Sequence, residues 1–199
     1  MKLHYSPTSP FVRKVNVLAN ELGIDDTLER VMTNPWEPDE VLLGNNPLSK
    51  VPTLITDEGL VLYDSPVICE YLDSEYGDHR FVPAAGEARW KTLRLQALAD
   101  GLLDAAILRF LERKREVQSA DWEATQLGAV VRALDVMEAE VGAWGEAFGI
   151  GQITAAVSLG YLDFRFADED WRPDHPALAA WYAEVSQRPS LAGTVPRQP

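Results

Sequence analysis

Three short stretches carry residues whose types and spacing could do chemistry. The first is Tyr5-Ser6-Pro7-Thr8-Ser9-Pro10-Phe11-Val12-Arg13-Lys14-Val15. Ser9 followed by Pro10 suits a helix start, because the hydroxyl takes up free amides and proline fits the first turn. A helix N-terminus favours an anion beside it, and a thiolate is such an anion. A plain N-cap needs the same pattern. The second stretch is Asn46-Pro47-Leu48-Ser49-Lys50-Val51-Pro52-Thr53-Leu54. A proline ahead of a strand can hold a cis bond that offers the backbone of Val51 to an extended peptide. An ordinary trans-proline at a strand start reads the same way. The third is Tyr63-Asp64-Ser65-Pro66, a second cap-plus-proline with an acid that suits an ammonium group. One small ligand's carboxylate and ammonium could be held there together; a cap with a dipole-favourable acid is the alternative.

These stretches must be positioned by the elements around them. Lys2–Tyr5 reads as a short strand. A helix follows from Ser9, with Phe11, Val15, Leu18 and Leu22 at helical spacing and Gly23 ending it. Leu28–Met32 reads as a second strand, Asn34-Pro35-Trp36-Glu37-Pro38 as a turn, and Pro38–Leu43 as a short helix. Thr53–Thr56 and Leu60–Tyr63 flank Asp57-Glu58-Gly59 and suggest an antiparallel hairpin. A helix from Ser65 to about Tyr76 would turn Val67, Ile68, Tyr71 and Leu72 inward. The order is βαβαββα, a small mixed sheet with helices on its faces.

The remainder changes character. Gly77–Gly86 is a loop and the best linker candidate. Beyond it Glu87–Glu116, Ala120–Trp144, Gly149–Ala167 and Pro176–Gln187 are helical by period. Leu93, Leu98, Leu102, Ala105 and Ile107 would form one apolar face, and Leu127, Val131, Leu134, Val141 and Trp144 another. The expected organisation is residues 1–78 as an α/β domain, 79–86 as a linker and 87–199 as an all-helical domain.

Composition bounds the chemistry. The 199 residues carry a net charge of -13, from Lys+Arg 18 against Asp+Glu 31. Such a surface repels phosphate backbones and disfavours nucleic acid and anionic membranes. Residues 1–78 hold five basic and fourteen acidic side chains, so most of that charge lies in the α/β half. The one cysteine, Cys69, excludes an intrachain disulfide framework and thiolate-rich metal sites. His4, His79 and His175 show no metal-ligand spacing. No apolar run approaches the roughly 18–20 residues of a membrane span. No signal peptide is expected, since Met1-Lys2 runs directly into a strand. The expectation is a cytoplasmic protein that binds neither metal, nucleic acid nor membrane.

Taken in order along one chain, the three stretches resemble the cytosolic glutathione S-transferases. These have a thioredoxin-like N-terminal domain and an all-helical C-terminal one. The resemblance spans nearly the whole chain. Ala97-Leu98-Ala99-Asp100-Gly101, Leu159-Gly160-Tyr161-Leu162-Asp163-Phe164-Arg165, and Pro176-Ala177-Leu178 with Trp181 and Arg188-Pro189-Ser190 extend it to a bacterial subgroup.

The resemblance implies glutathione as co-substrate, no metal, a small apolar electrophile as second substrate (conjugated or reduced) and a homodimer. It places Ser9 where serine- and cysteine-type members keep their catalytic residue. A serine can donate a hydrogen bond to the thiolate of glutathione but cannot form a mixed disulfide with it. Val51 matches the residue whose backbone pairs with the cysteinyl unit, Pro52 the cis-proline, and Lys50 a basic residue near the glycine carboxylate. Asp64 and Ser65 match the pair that holds the γ-glutamyl end, with aspartate in place of the commoner glutamate. Thr8, Ser6 and Tyr5 are the other hydroxyls in reach, and Tyr5 ranks below Ser9 because it lies inside the strand. Phe11, Trp36, Leu103, Ile107 and Phe110 are candidate walls for the electrophile, with core packing as their other reading. Asp100 and Asp104 could approach the ammonium across a dimer, or stand as solvated or structural acids. Cys69 is expected to serve packing. Gly149 and Gln152 stand where relatives have a Ser/Thr and Asp capping box, so the hydroxyl half of that box is missing. A non-catalytic glutathione-binding regulator and a glutathione-dependent disulfide reductase are the alternative functions.

Overall fold

The computed structural model describes residues 1–34, 36–37 and 39–197. The turn expected over Asn34–Pro38, and the helix start expected at Pro38, fall partly outside them. The elements are β1 (Lys2–Tyr5), α1 (Pro10–Leu22), β2 (Glu29–Met32), α2 (Glu40–Asn45), β3 (Thr53–Ile55), β4 (Val61–Leu62), α3 (Ser65–Tyr76), α4 (Gly86–Glu112), α5 (Ala120–Glu140), α6 (Ile150–Arg165), α7 (Pro176–Val185) and α8 (Pro189–Ala192). Short 3₁₀ turns cover Asp25–Thr27 and Val141–Ala143. This is a thioredoxin-like α/β half followed by a helical half.

The strand order is β2-β1-β3-β4, with β1 parallel to β2 and antiparallel to β3, and β3 antiparallel to β4. The pairings His4 with Thr53 and Leu54 with Leu62 fix where the strands end. Both register ladders bring the C-terminal ends of β1 and β4 and the N-terminal end of β3 to one edge of the sheet. That edge therefore receives all three stretches singled out from sequence.

Helix termini follow the local chemistry. Ser9 caps α1, and Gly23 closes it in the left-handed conformation at φ 72° that suits glycine. Asp39 caps α2 through the amides of Val41 and Leu42, both at 2.9 Å. At α6 the missing hydroxyl of a capping box has a tertiary replacement. The Phe81 carbonyl accepts from Ile150 N–H at 2.9 Å, while Gln152 Oε1 accepts from the Gly149 amide at 3.2 Å. A Cβ on Gly149 would stand 3.0 Å from the Phe81 oxygen, so a side-chain cap and this backbone cap compete for one space.

The core runs without a break from β1, α1 and α3 through Phe81 and Val82 into α4, α5 and α6. α6 is buried from Ile150 through Leu162, the arrangement of a central helix. It lies against α4 where Gly151 meets the Thr92 carbonyl and Leu95: a Cβ there would be 2.9 Å from that oxygen. Segment 77–85 has no regular structure, yet Asp73 Oδ2 accepts from the amides of Phe81 and Val82 at 3.0 and 2.6 Å.

The structure corrects several inward assignments. On α3, Val67 is exposed, and the buried stripe is Ser65, Ile68, Cys69, Leu72 and Asp73. On α5, Leu127 and Val131 are exposed; Val130, Ala133, Leu134 and Met137 face the core. In both helices the buried stripe is rotated from the one expected. α8 was not expected, since four residues carry no readable period.

Candidate active site

At the first corner, Ser9 Oγ accepts from the Val12 amide at 3.3 Å. A hydroxyl that accepts from the helix keeps its own hydrogen to donate outward. The Ser9 amide donates to the Ser6 carbonyl at 3.2 Å, which closes the turn leading into α1. The Ser6 and Thr8 hydroxyls lie 3.4 Å apart and pair with each other. Tyr5 packs against the cluster of Val12, Leu42 and Val51.

At the second corner, the Val51–Pro52 bond is cis, and Val51 is buried against Val12 and Leu42. The loop is built by Asn46, a residue without an assigned role in the sequence reading. Its amide nitrogen donates to the Lys50 carbonyl and to Thr53 Oγ1, both at 3.0 Å, and its oxygen accepts from the Leu48 amide at 3.0 Å. Thr53 Oγ1 donates to the same Lys50 carbonyl at 2.8 Å. The signal was present, since Asn before Pro opens an Asx turn, but its partners lie up to seven residues away. Lys50 itself is exposed.

At the third corner, Asp64 is the residue before α3 and its carboxylate makes no capping bond. The side chain is exposed and free to meet a ligand. Ser65 opens the helix and is buried. Two acids and two lysines face this corner from neighbouring elements. Lys14, fully buried, holds Asp100 through both carboxylate oxygens at 2.7 and 2.8 Å. Asp104 lies one turn further along α4; burial raises its carboxyl above the ordinary value, Lys50 pulls it down and Asp64 pushes it up. Lys50, Asp64 and Asp104 therefore sit within one another's fields.

The candidate walls divide. Leu103 is fully buried and belongs to the core, whereas Phe11, Ile107 and Phe110 are partly buried and Trp36 is exposed. Leu103 is thus excluded as a wall by burial. Cys69 is wholly buried, and burial lifts its thiol to about 12, so at neutral pH it is neither a nucleophile nor a redox centre. Among the described residues no group of three or more His, Cys, Asp or Glu could hold a metal ion, and no helix is long and apolar enough to cross a membrane.

The sequence model of the glutathione S-transferase N-terminal domain matches residues 8–75, and that of the glutathione S-transferase C-terminal domain matches residues 97–184. The chain belongs to the glutathione S-transferase family. It is 35% identical, over 98% of both chains, to the uncharacterized GST-like protein YibF of Escherichia coli K12. Its structure superposes on a glutathione transferase family member from Pseudomonas fluorescens Pf-5, crystallised with bound glutathione, with a TM-score of 0.93 and 44% identity over 99% of both chains. A glutathione S-transferase of Methylobacillus flagellatus, also with glutathione bound, gives a TM-score of 0.91 and 37% identity over 98% of this chain and 99% of that one. The fold thus sets the three stretches at one edge of the sheet.

Proposed function

We propose that the chain is a serine-type glutathione transferase. The reading rests on Ser9, whose hydroxyl accepts from the Val12 amide and keeps its hydrogen for a ligand. Glutathione bound in relatives of 44% and 37% identity supports the choice of ligand. The thiolate lies against the Ser9 hydroxyl at the positive end of α1, which stabilises it relative to the thiol. The Val51 backbone pairs with the cysteinyl unit ahead of the cis Pro52, and Lys50 attracts the glycine carboxylate. Asp64 takes the ammonium of the γ-glutamyl end, while Ser65 and the first turn of α3 take its carboxylate. The thiolate then attacks an electrophilic carbon: an S–C bond forms as the leaving group departs or a π bond opens. The buried Cys69 counts against a reductase that uses its own thiol. The exposed Leu60, Val67 and Trp90 supply apolar surface for the homodimer expected of the family.

Replacement of Ser9 tests the reading. Ser9→Ala should lower kcat/KM for 1-chloro-2,4-dinitrobenzene by about 10²-fold, the effect of losing one preorganised donor to a developing or resting anion. It should also abolish the ultraviolet absorbance of bound thiolate at neutral pH. Unchanged rate and absorbance would remove Ser9 from the role. Calorimetric binding of glutathione without turnover of any electrophile or peroxide would make the chain a binding protein instead.

A further inference from the structure

His4 is buried in β1, the strand that leads toward Ser9, and the chemistry proposed above makes no use of it. Its ring bridges two elements. Nδ1 lies 2.9 Å from Thr33 Oγ1, just past β2, and Nε2 lies 3.5 Å from Asn45 Nδ2, at the end of α2. The surrounding bonds fix where each hydrogen sits. Asn45 Nδ2 also donates to the Val41 carbonyl at 2.9 Å, so it is the amide nitrogen that faces the ring, and an amide nitrogen only donates. Nε2 is therefore the acceptor, and Nδ1 carries the hydrogen. Thr33 Oγ1 accepts that hydrogen and donates its own to the Val31 carbonyl at 3.1 Å. The chain of donors closes only around a neutral ring. A 3.5 Å contact contributes little attraction, but a second ring proton would set two N–H groups face to face there.

The contact anchors a helix with little other hold. α2 has six residues and buries only Leu42. Its last residue is Asn45, and the next is Asn46, which orders the loop carrying Lys50 and Val51. In the sheet register His4 stands opposite Thr53, so the two side chains share a face. His4 meets Asn45, while Thr53 Oγ1 accepts from Asn46 at 3.0 Å. Neighbouring strands thus grip successive residues at the root of the loop. Among the described residues the charged group acting on the ring is Asp39, the N-cap of α2, which favours the proton. The residues paired with His4 on β2 and β3, Val31 and Thr53, are uncharged. Burial outweighs Asp39 and holds the ring below the ordinary 6.5.

We propose that neutral His4 is a positioning residue for glutathione: it anchors α2 and the loop that presents Lys50 and Val51, and its protonation loosens that anchor. The proposal rests on the glutathione reading above and adds a residue and a pH response to it. The unprotonated ring is the competent form, so affinity is level above 6.5 and falls in acid below it.

S-Methylglutathione is the probe, because it has no thiol to titrate. Calorimetry should show the parent Kd rising about threefold or more from pH 7.5 to pH 5.0, as the competent fraction shrinks. His4→Gln offers an oxygen to Asn45 and an N–H to Thr33 without a titrating proton. It should bind within twofold of the parent at pH 7.5 and lose most of the acid response. His4→Phe keeps a flat ring but neither bond, and should bind severalfold more weakly at both pH values. In both variants KM for glutathione carries the effect, and kcat at saturation stays within twofold because Ser9 is untouched. Asn45→Ala removes the partner from a half-buried site and leaves the ring in place; it should weaken binding at pH 7.5 and flatten the response. An acid response in His4→Gln and Asn45→Ala equal to the parent's, or unchanged affinity in His4→Phe and Asn45→Ala, would overturn the role of His4 and leave the glutathione reading intact. Absence of binding by the parent at both pH values would instead overturn the glutathione reading. The anchor is then judged by hydrogen exchange of the α2 amides, corrected for intrinsic rates. Protection lost in acid by the parent but kept by His4→Gln supports it, and equal protection in the two refutes it.

Discussion

Asp73 and Asn46 show how single side chains fix the frame in which Ser9, Val51 and Asp64 meet. Asp73 is fully buried and accepts the amides of Phe81 and Val82, which pins the connection between the halves. Asp73→Ala would leave two buried donors without partners, at a cost of about 1–3 kcal/mol each. Chemical denaturation should therefore show a loss of about 2–6 kcal/mol with little change in glutathione affinity. Asp73→Asn keeps one acceptor and should lose less. The local geometry was legible where it is written in adjacent residues, as in the Ser9-Pro10 helix start, the Val51-Pro52 bond and the Ser65-Pro66 helix start. Asp73 was not, because an acid on a helix looks solvated until the fold brings donors to it. Leu103 failed in the opposite sense: its type suited a wall, and only packing shows that it is sealed.

At the scale of elements, α8 is clamped on the end of α1 by one carboxylate. Glu21 accepts from Arg188 Nε and Nη2 at 3.0 and 2.7 Å and from Ser190 Oγ at 2.5 Å. Burial would raise its pKa, but Arg188 and Ser190 with Arg80 outweigh it, so Glu21 sits below the usual 4.5. The unfolded chain therefore binds the proton more readily than the native one. The clamp's contribution is fully present above pH 4.5 and is lost as pH falls through the native value. Thermal midpoints measured between pH 3 and 6 should decline on that acid limb, and Glu21→Gln should be less stable at pH 6 with a shallower decline. The order of strands and helices was readable from Gly23, the Asp57-Glu58-Gly59 turn and the two Ser-Pro starts. The rotation of α3 and α5 was not, because periodicity gives the stripe and not the neighbour that selects among its members.

The molecule as a whole is joined across its halves by a buried ion pair as well as by apolar contact. Lys14 of α1 has no exposed surface and its carboxylate, Asp100, belongs to α4. Burial pushes the Asp100 carboxyl up, and Lys14 opposes the shift. Asp100→Asn would strand the ammonium in the interior, a change that costs about 3–5 kcal/mol in comparable pairs. One cooperative transition is expected for the parent chain. Tryptophan fluorescence, dominated by the five tryptophans beyond residue 86, should coincide with hydrogen exchange in β1 and β3. In Asp100→Asn the two probes should shift together to lower denaturant; a shift of the helical half alone would show that the pair does not couple the halves. The buried Cys69 has a consequence for sulfur accounting. With its thiol inaccessible and near 12, a thiol reagent added to the folded complex at neutral pH should titrate the ligand only. Unfolding should release one further equivalent per chain, so a single colorimetric titration counts bound tripeptide and intact protein separately.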